Sequence, residues 1–163
     1  MESSKIVKYG DEILRRHADE IEEFNDDIRS LIEMMCNVLA VSHGYGLAGP
    51  QVGRSLRLFV YDIGEGLHAL VNPVMLSSSG EEWGVEGCLS IPGLQGEVLR
   101  ATHVVVTGIN EDGRKVKMKA NDLLARVFQH EMDHLDGTMF IDRADPDTLE
   151  TVPVNDDDEY EED

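Results

Sequence analysis

His130 and His134 stand four residues apart in the run Gln129-His130-Glu131-Met132-Asp133-His134. On a helix that spacing sets one imidazole a turn above the other, where both can grip a single cation. Glu131 lies beside the first without needing to be a ligand, so its carboxylate can take a proton from a water polarised by that cation and pass it on. The chemistry this suggests is metal-assisted hydrolysis. Such a site takes three protein ligands and leaves a fourth position for water, so a third donor is required. His17, His43, His68 and His103 are scattered singly, and Asp133 points away from the face that His130 and His134 share. Cys88 is the stronger candidate. It sits in Glu86-Gly87-Cys88-Leu89-Ser90-Ile91-Pro92-Gly93, a glycine-flanked stretch that reads as irregular backbone able to approach a cation closely. Its thiolate would complete a set of Cys88, His130 and His134.

The histidines need a helix beneath them. Asn121 and Asp122 are good N-cap residues, Leu123, Leu124, Val127 and Phe128 follow at helical spacing, and Gly137 supplies a stop. That helix, 121–136, would be about 24 Å long and would turn its histidines inward. A second helix is expected from Asp26 to Val41, where Ile28, Leu31, Ile32, Met35, Val38 and Leu39 recur at amphipathic spacing. Cys36 falls within it and reads as a core or core-edge thiol. Leu56 to Asp62 and Leu67 to Asn72 read as strands, and His103 to Ile109 with Arg114 to Lys119 as a hairpin around Asn110-Glu111-Asp112-Gly113. Strands precede the metal helix rather than alternating with helices. The fold class is therefore α+β: mostly antiparallel sheets around a central metal-binding helix, with an N-terminal amphipathic helix.

With those elements in place, three segments are informative together: Gly44-Tyr45-Gly46-Leu47-Ala48-Gly49-Pro50-Gln51, Glu86-Gly87-Cys88-Leu89-Ser90 and Gln129-His130-Glu131-Met132-Asp133-His134-Leu135-Asp136-Gly137. In order and spacing they resemble the three motifs of the peptide deformylase family, and the resemblance runs from about Ile6 to Arg143. It implies that Cys88, His130 and His134 hold the metal, that Glu131 is the general acid/base, and that the Gln51 amide and the Leu89 N–H stabilise the oxyanion. It also implies a formylmethionine substrate on nascent chains. The working metal would be Fe(II), with Zn(II) or Ni(II) as occupants of purified protein. Gly44, Tyr45 and Gly46 would bind the peptide backbone, Tyr45, Leu89, Leu124 and Val127 would wall the side-chain pocket, and Arg100 matches a family arginine near the site. Gly49 stands where the family more often has alanine. Gly44-x-Gly46 lacks the spacing and following helix of a nucleotide cradle.

Two other readings keep the metal. A zincin-like peptidase would use His130, His134 and Glu131 but draw its third ligand from elsewhere. A structural site would add a fourth protein ligand and close, leaving Glu131 without a purpose.

Composition bounds the partners. A chain of 163 residues that is 41% hydrophobic is expected to form one domain, 1–145, followed by an acidic tail, 146–163. The net charge of −19 argues against nucleic-acid binding by its own surface, and seven of the negative charges lie between Asp156 and Asp163. Two cysteines without a C-x-x-C pair, a signal peptide or a long apolar run lead to the expectation of a reduced, cytoplasmic protein with no membrane segment. The resemblance adds a transient ribosome contact, although the chain lacks the basic C-terminal helix that some deformylases use for it.

Overall fold

The structure is a computed structural model that describes residues 6–153. Its first helix, α1 (Asp26–Ser42), is opened by Asn25, whose side chain accepts from the Ile28 N–H at 3.1 Å. All six of the apolar residues expected on its inner face are buried. The helix ends where His43 turns left-handed at φ 63°. After it come β1 (Gly46–Ala48), β2 (Leu58–Tyr61) and a long β3 (His68–Ser79). The hairpin strands β6 (His103–Asn110) and β7 (Lys115–Asn121) complete a five-stranded antiparallel sheet in the order β1-β2-β3-β6-β7. Asn110 closes that hairpin, its side-chain oxygen accepting from the N–H groups of Asp112 and Arg114.

The second sheet differs from the sequence reading. The stretch expected to be irregular is a hairpin, with β4 (Glu82–Cys88) and β5 (Ile91–Arg100) joined through Leu89 and Ser90. A short strand, β8 (Glu150–Thr151), pairs with β5 at Leu94 and Gln95. The expected tail therefore begins too early. Residues 146–153 are drawn onto β5 because the Thr148 hydroxyl accepts from the Glu97 N–H and the Leu149 side chain lies against Gly96. The acidic residues Asp156 to Asp163 lie outside the described residues.

The metal-helix candidate, α2 (Asp122–Leu135), packs on the five-stranded sheet. Phe128 is fully buried against Phe59 and Tyr61, with ring centroids 5.5 and 4.9 Å away. Asn121 holds the N-cap position, but its side-chain oxygen bonds the His103 ring at 2.7 Å instead of a helix N–H. Gln129 fixes the middle of the helix by bonding both the N–H and the carbonyl of Ala101. At the far end Arg57 donates to the Leu135 carbonyl and pairs with Asp136, capping the helix with a cation. Gly137 is left-handed at φ 78°, and a Cβ there would meet the Arg15 carbonyl at 2.5 Å. The stop expected from sequence is thus doubly required. A last short helix, α3 (Phe140–Arg143), closes a third small core with Leu14, Ile91 and Val98.

Gly49 begins a short 3-10 turn that ends at Val52. A Cβ at Gly49 would stand 2.6 Å from the Leu56 carbonyl and 2.8 Å from the Arg54 carbonyl, both of them backbone atoms that cannot rotate aside. Gly49→Ala should therefore destabilise the protein by about 1–3 kcal/mol through overpacking. The check is a urea titration, read as a lowered midpoint at unchanged m. An unaltered midpoint would mean that the segment 54–56 gives way freely.

Candidate metal centre

α2 and the β4–β5 hairpin bring together the three donors that the sequence proposed. Sγ of Cys88 and ring nitrogens of His130 and His134 all lie within 4.8 Å of one another. The Cys88 sulfur is 3.3 Å from His134 Nε2. Metal–sulfur and metal–nitrogen bonds of about 2.3 and 2.0–2.1 Å meeting at a tetrahedral angle put sulfur and nitrogen roughly 3.6 Å apart. The donor set therefore fits a single first-row divalent ion. None of His17, His43, His68 or His103 belongs to the cluster: the first pairs with Asp136, the third with Glu111 and the fourth with Asn121.

The ring orientations follow from a buried carboxylate. Glu86 accepts from His130 Nδ1 at 2.8 Å, which leaves Nε2 of that ring turned to the cluster. The same carboxylate accepts two bonds from Arg100 at 2.9 and 3.0 Å and one from Arg126 at 2.8 Å. Arg100 in turn reaches Asp133, which also takes Arg143. Asp133 thus points away from the metal face, as its helical position required, and Arg100 is a buried link near the site rather than a surface cation.

Charge is distributed unevenly among these groups. Burial opposes ionisation of Glu86, but His130 and Arg100 outweigh it and hold its carboxyl far below the usual range. For His130, burial again opposes the charged form, and the bonds to Cys88 and Glu86 overcome it, so the ring's affinity for a proton is raised. That is the field of an electron-rich pocket, and it favours a metal cation as much as a proton. His134 is shifted the other way by burial and by the neighbouring His130, so it is the neutral imidazole that a metal requires. Burial pushes Glu131 up to about 7.

Glu131 Oε1 is fully buried with no hydrogen-bond partner among the described residues. Its other oxygen faces Gly46, where a Cβ would stand 2.6 Å away, so only glycine lets β1 pass so close to this carboxylate. Gln51 is also buried: its Oε1 accepts from the Ala48 N–H, and its Nε2 donates to Ser90 Oγ at 3.1 Å and faces Cys88 Sγ at 3.6 Å. A cleft of about 520 Å³ opens on these groups, within the usual range for a small-molecule or peptide-end site. Gly44, Tyr45, Gly46, Gln51, Leu89 and Val127 line it, as the sequence suggested. Leu124 does not. It turns to a separate hollow beside Tyr61 and Met118, and Leu123, one position earlier on α2, lines the cleft instead. Sequence reading also missed Arg126, Val85 and Leu94 on the cleft wall.

The chain is similar to known proteins over most of its length. The family model described as "Polypeptide deformylase" matches residues 3–150. The peptide deformylase of Carboxydothermus hydrogenoformans is 49% identical over 141 residues, spanning 86% of this chain and 93% of its own. That of Pelotomaculum thermopropionicum is 46% identical over 140 residues, spanning 86% and 90%. Among solved structures, the Thermotoga maritima peptide deformylase superposes with a TM-score of 0.84 at 40% identity, covering 86% of this chain and 97% of its own. The Synechococcus elongatus peptide deformylase in complex with actinonin gives 0.83 at 39%, covering 86% and 78%.

Cys36, the other thiol, lies on α1 away from this cluster and packs at the edge of the core. Burial, with the charges of Glu111 and Asp62 adding to it, pushes the thiol up to about 11. Thiolate, the reactive form, then appears only as pH climbs toward that value, so alkylation at pH 7.5 should run roughly a hundredfold slower than for an ordinary thiol and speed up about tenfold per pH unit. Iodoacetamide labelling of the native protein, read by peptide mass spectrometry, checks this. Labelling at the rate of free cysteine would contradict the burial argument.

Proposed function

Because the chain belongs to the polypeptide deformylase family, metal-dependent hydrolases of the N-formyl group on N-terminal formylmethionine, we propose that its residues divide that reaction as follows. Cys88, His130 and His134 hold one divalent ion, Fe(II) in the cell and Zn(II) or Ni(II) as alternatives in purified protein. When bound, that ion supplies Lewis acidity, which lowers the pKa of water from 15.7 to about 7. The observation that carries the reading is a cysteine sulfur and two imidazoles within 4.8 Å of one another beside a buried carboxyl with one oxygen unpartnered among the described residues.

Glu131 takes the proton of the attacking water, whose oxygen bonds to the formyl carbon. A carboxyl pushed up to about 7 by burial can accept that proton at neutral pH and give it back. Negative charge develops on the formyl oxygen, and Gln51 Nε2 and the Leu89 N–H are the donors assigned to it. Glu131 then protonates the amine nitrogen as the C–N bond breaks, releasing formate and a free amino terminus. The methionine side chain enters the cleft beside Leu89 and Val127, and the backbone of Gly44, Tyr45 and Gly46 holds the following peptide as an added strand. The substrates are formylmethionyl nascent peptides, met in the cytoplasm through a transient contact with the ribosome. Two free cysteines support the reducing compartment, and no described helix is long and apolar enough to cross a membrane.

The decisive assay measures formate release from formyl-methionyl peptides under anaerobic conditions, on protein of known metal content. Glu131→Gln keeps the three ligands and should keep the metal, yet lose roughly two to four orders of magnitude in kcat. A fully metallated wild type as inactive as that variant would end the catalytic reading. Cys88→Ala should bind metal far more weakly, read by equilibrium dialysis. Retention of metal by that variant would favour a peptidase-like site that takes its third ligand elsewhere.

A further inference from the structure

Arg126 belongs to none of the sequence motifs, yet it makes the widest set of contacts of any side chain on the cleft wall. It lies on α2 one turn before His130. Its Nη1 donates to Glu86 Oε2 at 2.8 Å, to the Val98 carbonyl at 3.0 Å and to the Gly84 carbonyl at 3.5 Å, and its Nη2 donates to the Glu82 carbonyl at 2.8 Å. One helix residue thereby engages three backbone carbonyls and a carboxylate of the β4–β5 hairpin. The guanidinium lies flat against β4, because a Cβ on Gly84 would stand 2.8 Å from its Cζ.

What this grip controls follows from topology. β4 and β5 belong to the three-stranded sheet, and among the described residues no backbone ladder joins it to the five-stranded sheet on which α2 packs. The hairpin carries Cys88 at its end, and the helix carries His130 and His134. The strands of the hairpin run on into β3 and β6 through two-residue connections that hold its base, and toward Cys88 its bonds to α2 come from side chains. Arg100 makes one link, from β5 to Asp133 on the last turn of α2. Arg126 makes another, seven residues earlier and on the opposite side of His130, in addition to the His130–Glu86 bond and the bonds of Gln129 to the Ala101 backbone. Arginine anchors on both sides of the ligand resist pivoting of the hairpin on the helix.

We propose that Arg126 is a positioning residue that docks the β4–β5 hairpin on α2 and thereby fixes the Cys88 sulfur against the His130 and His134 rings. The proposal rests on those three residues being the metal ligands. The grip depends on a planar fork with several donors, which a lysine cannot reproduce, although it carries the same charge.

The test loads Co(II) into the wild type, R126M, R126K and G84A, and follows two readouts: the thiolate-to-cobalt absorption band and the rate of Co(II) release to an excess of chelator. R126M should release the ion roughly 10–100-fold faster with a weakened band. R126K should match it. G84A keeps the guanidinium but pushes it off the strand, so it should move in the same direction, and it stands as an independent measurement should R126M fold poorly. Release at the wild-type rate from R126M and G84A would overturn the proposal, as would full restoration by R126K, which would leave charge rather than docking as the cause. A wild type without the band would remove the ligand assignment, and this inference with it.

Discussion

The site depends on one buried carboxylate. Glu86 orients the His130 ring, is held by two arginines, and stands on the same strand as Cys88, two residues before it. Burying a charge in a protein interior costs several kcal/mol unless partners and hydrogen bonds offset it. Here all four lone-pair directions of Glu86 are used, by Arg100 twice, by Arg126 and by His130. Such an arrangement is costly to disturb at any one member, because the partners left behind are equally buried. Geometric definition at the metal ligands is the gain: a hairpin and a helix from separate sheets meet in one register.

That same network explains which parts of the fold were legible in the sequence. α1 and α2 were readable because apolar residues recur at helical spacing and each buries one face. β2, β3 and the β6–β7 hairpin were readable because their inward residues are apolar or because Asn110 and Gly113 mark the turn. β4 escaped because its pattern is inverted. Its inward positions include Gly84 and the buried Glu86, and its outward ones are Trp83 and Val85, both about half exposed or more. Polar inward residues make sense only beside Arg100 and Arg126, which arrive from elsewhere in the chain. A pattern rule that equates apolar with buried cannot see a strand whose inner face is an ion network.

The candidate site shows a similar division. Cys88, His130, His134 and Glu131 were accessible because metal chemistry demands those residue types and the motifs supply the spacing, whereas Gln51 came only from the family resemblance. The cleft wall was harder. Leu124 was expected there, but on a helix Leu123 shares a stripe with Val127, His130 and His134, at steps of four, three and four residues, while Leu124 joins Phe128 toward the sheet. A rotation of 100° per residue separates the two, and a hydrophobic count does not. Arg126 was invisible for a different reason. An isolated arginine on a helix is normally solvated, and nothing local says that its acceptors are the carbonyls of a distant strand.

Two glutamates flank His130 in space, and their environments push them in opposite directions. Glu86 meets two guanidiniums and an imidazole N–H, so it stays a permanent anion and serves as a fixed counter-charge. Glu131 is also buried but lacks a cation bonded to it, and burial, with the charges of Glu86 and Asp133 adding to it against those of His130 and Arg100, raises it to about 7. Exchanging their environments would defeat both: an arginine bonded to Glu131 would hold it ionised and unable to return its proton, and an unpaired Glu86 would protonate and release His130. Identical side chains thus take separate roles through their neighbours alone. The arginines that gather around Glu86 are therefore part of the proton chemistry at Glu131, because they bond the one carboxylate and not the other.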